Sequence, residues 1–452
     1  MRRLERRAFI SLLLAAVLFI GLLVFVYRFI THGGEWATFY GNQSLYSGDA
    51  LSSGSIYDRD GTLLVANTEE GTYYNEDYNI RRGTLHAVGD TKGNISTSAM
   101  VAYRDKLIGY NLVTGTYKLK GKNEDIDLTI DADACSIAYQ WLSYYDGGSV
   151  GVYNYKTGEI LCLASAPGFD PSDPPVLEEG DDSGIYINRF ISATLTPGSI
   201  FKTVTTAAAI DNLDWESFSY TCSGEREVDG EYVTCMAAHG EQDLEDALAN
   251  SCNCAFSVIT EMLGTDTMNG YVESLGLTKS YDMGGIKNAK GSFVFPDDSP
   301  IDLCWAGVGQ YNDELNPCSM MIYMGAIANN GKTAIPRMIK NKGILEKLDI
   351  DLDISLDESV TIMNSSTANE VKGMMKYTVD NIYGAWSFPD LSVGGKTGTG
   401  EVEGREPNAT FAGFLDDVDH PYAFVVTVEN AASGQGDALP IANAVLQELV
   451  YG

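Results

Sequence analysis

The sequence is poor in histidine and in positive charge. It contains four histidines, His32, His86, His239 and His420, and none of them adjoins a motif with a candidate nucleophile. A Ser-His-Asp triad therefore has little support, because that arrangement needs a histidine to act as the base for the serine. There are 30 lysines and arginines against 62 aspartates and glutamates, a net charge of −32. A nucleic-acid partner would be repelled by such a chain.

Long hydrophobic runs are also missing, except for one at the N-terminus. The twenty residues from Ala8 to Tyr27 carry no charge, and a helix of that length spans about 30 Å, the thickness of a bilayer core. Four arginines precede the run, which predicts a cytoplasmic N-terminus and an extracytoplasmic remainder. A cleaved signal peptide is the alternative. The length of the run and the lack of a small-x-small cleavage site favour a membrane anchor over residues 1–30.

The rest of the chain divides into two parts. Residues 31–124 are rich in Gly, Ser, Tyr and Asn, and 54–67 (GSIYDRDGTLLVAN) predict two strands around an Asp-Gly turn, so we expect a small strand-rich membrane-proximal domain. Residues 125–452 contain a predicted hairpin at 148–165, helical stretches after TPGSIFK and over 247–263, then three strands and a final helix. This order predicts an α+β domain with helices packed on an antiparallel sheet.

A serine and a lysine stand three positions apart in TPGSIFK (196–202). On a helix, Ser199 and Lys202 would share one face and could touch. Pro197 and Gly198 mark the helix start, where the helix dipole favours the anion of a serine hydroxyl. Serine is a poor nucleophile without a base beside it. Lys202 could be that base if it were neutral, since burial or a second positive charge lowers the pKa of a lysine.

Two further motifs supply more reactive groups. Lys-Thr-Gly occurs at 156–158, in ordinary hairpin-turn sequence, and at 396–398, within GGKTGTG. We interpret the second copy as functional, because a glycine-flanked strand can bind an extended ligand through its backbone. Ser251-Cys252-Asn253 adds a hydroxyl that can relay a proton and an amide that can hold a substrate carbonyl. Each motif alone is a weak signal, but together in this order they are the signature of penicillin-binding proteins and class A β-lactamases.

From about residue 54 to its end, the sequence resembles the class B penicillin-binding proteins, the membrane-anchored D,D-transpeptidases of bacterial cell-wall synthesis. Besides the motifs, the resemblance rests on LTIDADACSIAYQWL, GSVGVYNYKTGEILCLASAPGFDPSDP, NRFISATLTPGSIFKTVTTAAAI and VGQYNDELNPCSMMIYMGAIANNGKTAIP. It implies a penicillin-binding/serine β-lactamase-like fold, with an antiparallel sheet flanked by helices.

The resemblance implies a role for each matching residue. Ser199 would attack the penultimate carbonyl of a stem peptide ending in D-Ala-D-Ala, and Lys202 would be the general base. Ser251 and Asn253 would relay protons and position the substrate. Lys396 would tune the charge of the site.

The resemblance also implies how the substrate is held. Thr397, Gly398 and Thr399 would bind it, the two threonines through its terminal carboxylate. The backbone N–H groups of Ser199 and Thr399 would form an oxyanion hole. β-Lactams would acylate Ser199, and no metal or organic cofactor is needed. No glycosyltransferase domain fits before residue 125, so the resemblance implies a separate membrane glycosyltransferase of the RodA/FtsW type as a partner.

Some positions depart from the family pattern. Ile200 stands where the family usually has a small polar residue, and Gly400 and Glu401 replace a small residue and Gln. We expect these changes to alter antibiotic affinity rather than to stop the chemistry. A β-lactamase or D,D-carboxypeptidase would share the motifs and pass the acyl group to water. A non-catalytic β-lactam sensor or scaffold is a further alternative. The anchor, the membrane-proximal domain and the length favour a transpeptidase, with its role in elongation, division or sporulation left open.

Four of the eight cysteines cluster in the sequence. Cys222, Cys235 and Cys254 could form a tetrahedral zinc site with His239. A disulfide between Cys222 and Cys235, or between Cys235 and Cys252, is the alternative that the exported location favours. Free buried thiols are the third possibility, and the sequence leaves all three open.

Overall fold

The structure of the chain is a computed structural model that describes residues 2–37, 54–68, 71–108, 110–111, 116–117, 125–178, 180–340, 359–402 and 404–452. The first helix contains an apolar stretch, Arg6–Phe29, of which no part is buried. Among the described residues it is the one helix that is long and apolar enough to cross a membrane. The predicted anchor segment is therefore helical, and its orientation stays a prediction.

The helices are, in chain order, α1 (Arg2–Ala37), α2 (Tyr78–Gly83), α3 (Leu85–Val88), α4 (Ala99–Ala102), α5 (Arg104–Ile108), α6 (Ala132–Leu142), α7 (Arg189–Ser192), α8 (Lys202–Asn212), α9 (Leu244–Ala249), α10 (Asn253–Ser274), α11 (Pro300–Gly307), α12 (Pro317–Ala328), α13 (Ser365–Thr378) and α14 (Leu439–Tyr451). Short 3-10 turns cover Gly198–Phe201, Trp215–Ser217 and Ala385–Ser387, and π-helical turns cover Val379–Gly384 and Gly434–Ala438.

The strands are β1 (Ile56–Tyr57), β2 (Leu63–Thr68), β3 (Gly71–Tyr74), β4 (Tyr110–Asn111), β5 (Thr116–Tyr117), β6 (Ile126–Asp127), β7 (Gly147–Asn154), β8 (Ile160–Ala166), β9 (Tyr220–Cys222), β10 (Glu225–Val228), β11 (Glu231–Thr234), β12 (Gly240–Gln242), β13 (Lys332–Ala334), β14 (Ser359–Thr361), β15 (Val393–Gly400), β16 (Asn408–Leu415) and β17 (Tyr422–Glu429).

A five-stranded antiparallel sheet in the order β15-β16-β17-β7-β8 forms the centre of the fold. Nearly every residue of its inner strands is buried on both faces. The wholly buried helix α12 packs against β16 and β17, while α6 and α14 pack on each other and on the sheet. The predicted α+β arrangement of helices on an antiparallel sheet is confirmed, and β15 lies at one edge of that sheet.

The predicted hairpin at 148–165 is present as β7 and β8, and its turn follows from its residues. The side-chain oxygen of Asn154 accepts the backbone N–H groups of Lys156 and Thr157 at 2.9 and 3.0 Å. Gly158 has a φ of +79°, which glycine adopts without a steric penalty.

The described part of the membrane-proximal region packs directly on the larger domain. The predicted Asp-Gly turn joins β1 to β2 in antiparallel pairing, and β1 also pairs in parallel with β6, across the predicted boundary at 124/125. The Asp58 carboxylate accepts the backbone N–H groups of Thr62 at 2.7 Å and of Ala132 at 3.2 Å. The region includes helices α2 to α5 besides its strands, and residues 38–53, 69–70, 109, 112–115 and 118–124 of it lie outside the described residues. The domain division stays a prediction.

One predicted helical stretch, 247–263, is wrong as a continuous element. Helix α9 ends at Ala249, and α10 begins at Asn253. Between them Ser251 has a φ of +54°, outside the right-handed helical region. Both helices bury apolar residues, so the hydrophobic pattern continues across the break and conceals it.

Candidate active site

Ser199 lies in the 3-10 turn Gly198–Phe201, which continues directly into α8. Lys202 is the first residue of that α-helix, and its Nζ is 3.0 Å from Ser199 Oγ. Lys202 is fully buried, whereas Ser199 is partly exposed. The spacing of three residues therefore brings a reachable hydroxyl and a buried amine together, as the sequence predicts.

The serine turn, Gly198–Phe201, packs closely against strand β15, and glycines make this close approach possible. A Cβ added at Gly198 would lie 2.3 Å from the carbonyl oxygen of Thr399, and one at Gly400 would lie 2.2 Å from that of Thr196. Gly198 also has a φ of +57°, which favours glycine. Its N–H donates to the Gly309 carbonyl at 2.8 Å. Backbone packing thus fixes Ser199 beside the end of β15.

The break between α9 and α10 supplies the other neighbours of the Lys202 amine. Lys202 Nζ is 2.7 Å from the Ser251 carbonyl oxygen and 2.6 Å from Asn253 Oδ1. A neutral amine has two N–H donors and one lone pair. In a neutral Lys202 these two acceptors can take both N–H groups, and the lone pair can then accept from the hydroxyl of Ser199 at 3.0 Å or of Ser251 at 3.1 Å. The ring of Phe256, centred 5.7 Å away, covers the amine on another side.

A second buried lysine meets the same serine. Lys396 Nζ is 3.1 Å from Ser251 Oγ and donates to the Thr397 carbonyl at 3.0 Å. Lys202 Nζ is also 3.1 Å from Ser251 Oγ. The hydroxyl of Ser251 therefore links the two amines, and a chain of contacts runs from Ser199 through Lys202 and Ser251 to Lys396.

The environment lowers the pKa of both amines. Burial, and then the positive charge of Lys396, hold the pKa of Lys202 well below its usual value. Burial lowers the pKa of Lys396 to about 7. A base needs a lowered pKa, and Lys202 has one. The two causes are the ones expected from the sequence: burial and a second positive charge nearby.

The edge of β15 opposite its partner strand β16 faces the serine turn. The N–H of Thr397 donates to the Tyr383 hydroxyl at 3.0 Å, and the carbonyl of Thr399 accepts from Gln310 Nε2 at 3.0 Å. Both groups therefore point off the sheet edge. Because backbone direction repeats every two residues in a strand, the N–H of Thr399 points the same way. The predicted oxyanion donor thus lies on the side of the strand where Ser199 lies.

Sequence reasoning missed Tyr383 and Gln310. Tyr383 is buried in the π-helical turn that follows α13, and its hydroxyl is 2.9 Å from Thr397 Oγ1. No local motif marks it. Gln310 lies in VGQYN, within one of the segments that carry the family resemblance, so that signal was available. Gly398, predicted to bind substrate, is buried against the Pro197 carbonyl, where a Cβ would approach to 2.8 Å.

The first Lys-Thr-Gly copy lies elsewhere. Lys156 is at the exposed turn between β7 and β8, and its Nζ is 3.5 Å from the Val418 carbonyl. It contributes no contact to Lys202 or Lys396.

The cysteine cluster lies directly beside the Ser-x-Asn segment. Cys222, Cys235 and Cys252 are free thiols, as is Cys254, so neither of the predicted disulfides is present. The Sγ atoms of Cys235 and Cys252 are 3.7 Å apart. The group of mutually close donors is Cys222, Cys235, His239 and Cys252. It contains Cys252 in place of Cys254, which the sequence analysis named.

The family model for the penicillin binding protein transpeptidase domain matches residues 148–449, which is more than half of the chain. The chain belongs to this family. The predicted resemblance to class B penicillin-binding proteins is thereby confirmed.

Curated relatives and solved structures agree with this assignment. Stage V sporulation protein D of Bacillus subtilis is 25% identical over 400 residues, 83% of this chain and 59% of the relative. Peptidoglycan D,D-transpeptidase PbpA of Mycobacterium tuberculosis is 27% identical over 332 residues, 68% of this chain and 67% of that protein. The ceftriaxone acyl-enzyme complex of penicillin-binding protein A from M. tuberculosis superposes with a TM-score of 0.75 at 22% identity, covering 89% of this chain and 99% of that chain. The transpeptidase fold is therefore shared, while the chain spans only 59% of the length of the Bacillus relative.

Proposed function

We propose that the chain is a peptidoglycan D,D-transpeptidase that crosslinks stem peptides through an acyl-enzyme on Ser199. One observation carries the proposal: the buried Lys202 amine is 3.0 Å from Ser199 Oγ while Ser251 and Asn253 occupy its other sides. That arrangement is a serine nucleophile with an adjacent base whose orientation is fixed, as covalent catalysis requires.

In the first half-reaction, Lys202 takes the Ser199 proton as Oγ attacks the penultimate D-alanine carbonyl. The N–H groups of Ser199 and Thr399 donate to the oxyanion that develops, an interaction that is often the largest single contribution in acyl transfer. When the C–N bond breaks, the leaving D-alanine amine takes a proton from Lys202 by way of Ser251. The ester on Ser199 remains.

In the second half-reaction, the amine of a neighbouring stem peptide attacks the ester carbonyl. The amine loses a proton to Lys202, the ester bond between the acyl carbonyl carbon and Ser199 Oγ breaks, and Ser199 Oγ takes that proton from Lys202. The new peptide bond uses the energy of the bond that was broken, so no ATP is consumed. Thr397 and Thr399 bind the terminal carboxylate of the donor, with Lys396 adjusting the local charge. Gly398 allows the strand to approach the serine turn.

Relatives support this assignment. PbpA is named a peptidoglycan D,D-transpeptidase, and solved structures of M. tuberculosis penicillin-binding protein A include ceftriaxone and penicillin G acyl-enzymes. The β-lactam class of inhibitor follows from the same serine chemistry in this chain. A β-lactamase or D,D-carboxypeptidase remains the competing assignment, and it differs in passing the acyl group to water.

The proposal includes a location and a partner. Residues 1–30 form the cytoplasmic N-terminus and anchor, 31–124 the membrane-proximal domain and 125–452 the extracytoplasmic transpeptidase domain. The arginines before the apolar stretch support this orientation. A RodA/FtsW-type membrane glycosyltransferase supplies the polymerised glycan strands, since crosslinking needs them as substrate.

The test is acylation of the full-length chain in detergent by penicillin, followed by intact mass over time. We expect a lasting adduct of one drug molecule in the wild type and in the control Ser143→Ala, an exposed serine after α6, and no adduct in Ser199→Ala. An adduct that disappears while drug is consumed would assign the chain as a β-lactamase. A folded wild type without any adduct would contradict the assignment of Ser199.

Transfer is tested separately with a donor pentapeptide ending in D-Ala-D-Ala. We expect D-alanine release to be accompanied by a crosslinked product when an acceptor amine is added. Release without a crosslinked product would favour a carboxypeptidase.

A further inference from the structure

Four metal-binding side chains converge next to the Ser-x-Asn segment. The Sγ atoms of Cys222, Cys235 and Cys252 and a ring nitrogen of His239 all lie within 4.8 Å of one another. Cys222 ends β9, whose partner β12 begins one residue after His239, and their register pairs Cys222 with Gly240. The first and last of these residues, Cys222 and Cys252, are thirty residues apart in sequence, so the tertiary fold brings them together.

The separations fit a single tetrahedral ion. With Zn–S bonds of about 2.3 Å and Zn–N bonds of about 2.0 Å, ligand atoms at the corners of a tetrahedron lie roughly 3.5 to 3.8 Å apart. The Sγ atoms of Cys235 and Cys252 are 3.7 Å apart. Small adjustments of the other two side chains would complete the tetrahedron. Three sulfurs and one imidazole are a ligand set that selects zinc among the common divalent ions.

The surroundings of the donors are those of metal ligands. His239 Nδ1 is buried and has no hydrogen-bond partner, which is costly unless an unseen group binds it. Metal-bound groups usually carry outer hydrogen bonds that orient them. Each sulfur receives a backbone N–H: Cys222 from Gly224 at 3.4 Å, Cys235 from Cys254 at 3.3 Å, and Cys252 from Ala255 at 3.3 Å.

The segment that carries three of the donors also needs a crosslink. It consists of two small sheets, β9 with β12 and β10 with β11, each of two strands of three or four residues. Two-stranded sheets of this size are marginal by themselves. Most of their residues are exposed or only partly buried, so little apolar burial compensates.

We propose that Cys222, Cys235, His239 and Cys252 bind one structural zinc ion. Four protein ligands fill a tetrahedral site and leave no open position for a substrate. Binding releases the thiol protons of the three cysteines, and no oxidant or reductant takes part. Cys254 Sγ also lies 3.4 Å from Cys235 Sγ. It is left out of the set because it is not in the group of four donors that all lie within 4.8 Å of one another, and its Sγ contacts the Val233 carbonyl at 3.4 Å.

The zinc ion has a positioning role in the active site, a point that rests on the proposed function. Cys252 stands between Ser251 and Asn253, the two residues that hold the Lys202 amine. Ser251 has a φ of +54°, a conformation that persists in a non-glycine residue only where its surroundings enforce it. Asn253 Nδ2 also donates to the Thr234 carbonyl at 2.8 Å, one residue before Cys235. Cys235 follows Thr234 and Cys252 precedes Asn253 in sequence. Bonds from one zinc ion to Cys235 and Cys252 would therefore fix both residues of the hydrogen bond between Asn253 and Thr234.

The experiment measures metal in the full-length chain, purified in detergent with a phosphine reductant and without chelator. Elemental analysis by inductively coupled plasma mass spectrometry is expected to find about one zinc per chain in the wild type and in the matched control Cys254→Ser. His239→Ala and Cys252→Ser are expected to lose zinc affinity by more than about 100-fold, because even outer-shell changes cost 10- to 100-fold. Zinc that stays in Cys252→Ser and leaves Cys254→Ser would overturn the ligand set.

A second measurement does not depend on how the variants fold. Wild-type chain is stripped with a chelator and titrated with Co²⁺ alone. Tetrahedral thiolate ligation predicts visible d–d bands and near-ultraviolet charge-transfer absorption. A thiol count in denaturant without reductant is expected to find all eight cysteines reduced. Two fewer thiols together with no cobalt spectrum would overturn the zinc site in favour of a disulfide.

The positioning role is tested by penicillin acylation of the stripped chain. We expect the rate to fall by about 100-fold, the cost of misplacing reactive groups by about 1 Å, and to return when zinc alone is added back. Acylation that is unchanged by zinc removal would overturn the positioning role. The cobalt spectrum, which needs no reaction at Ser199, keeps this test separate from that of the proposed function.

Discussion

The hydroxyl of Tyr383 binds Thr397 twice: it accepts the backbone N–H of Thr397 at 3.0 Å and lies 2.9 Å from Thr397 Oγ1. A tyrosine hydroxyl has one proton, and because it accepts from the N–H, that proton is available for Thr397 Oγ1. The threonine's own proton is then free to point toward a ligand. Tyr383 is therefore placed to orient the Thr397 hydroxyl, and we expect that hydroxyl to donate to the substrate carboxylate.

Tyr383→Phe is expected to weaken binding at Thr397. The buried N–H of Thr397 would lose its acceptor, at a cost of about 1–3 kcal/mol, and the threonine hydroxyl would be free to rotate. The carboxylate of penicillin is expected to bind where the terminal carboxylate of the substrate binds. We therefore expect penicillin to acylate the variant more slowly but still to form a lasting adduct. The apparent second-order rate constant measures this, and unchanged acylation in Tyr383→Phe would show that the contact does not orient Thr397.

Lys396→Met is expected to change the pH dependence of acylation. The positive charge of Lys396 contributes to lowering the pKa of Lys202, so its removal raises that pKa. Acylation needs neutral Lys202, so its rate rises with pH as Lys202 loses a proton. The rising limb should therefore move to higher pH in the variant. The loss should be largest below about pH 7, where Lys396 is charged in the wild type.

The control for this prediction is Lys156→Met, which changes the lysine of the other Lys-Thr-Gly copy. Since Lys156 is at an exposed turn away from the site, its variant should keep the wild-type pH profile. If the rising part of the pH–rate profile is unchanged in Lys396→Met, the pKa of Lys202 does not depend on the charge of Lys396. Because the two lysines are coupled through Ser251, the profile reports the pair rather than either residue alone.

Gly198→Ala is expected to displace Ser199 from β15. The added Cβ would meet the Thr399 carbonyl at 2.3 Å, so the serine turn must move away from the strand. A shift of about 1 Å in reacting groups costs about 100-fold in rate, and we expect a loss of that size in acylation. The melting temperature separates this effect from unfolding.

Gly404→Ala is the matched control for the backbone conformation. Gly404 has a φ of +74°, and a Cβ there would meet nothing within 4 Å. It carries a similar strain without the collision. Equal losses of acylation in the two variants would attribute the effect to backbone strain and would refute the close-approach explanation.

Much of the fold follows from local sequence patterns. The apolar N-terminal helix, the β7–β8 hairpin and the strands β15 to β17 were predicted, because each rests on hydrophobic runs or turn residues close together in sequence. The helical stretch 247–263 was predicted as one element, and the structure contains two. The spacing of apolar residues in the sequence reflects which side chains are buried. Buried side chains continue across the break at Ser251, so the spacing gives no sign that the backbone leaves the helix there.

The sequence by itself determined the contact between Ser199 and Lys202, because three residues of helical backbone fix that geometry whatever surrounds it. Only the tertiary structure decided what surrounds it. Lys202 meets Ser251 and Asn253, 49 and 51 residues away. Both Cys252 and Cys254 lie near Cys235, but only Cys252 is in the group of four mutually close donors. These contacts depend on how α8, α10 and β15 pack against one another. Long-range packing therefore sets the charge of Lys202 and the composition of the cysteine cluster, which no spacing along the chain can specify.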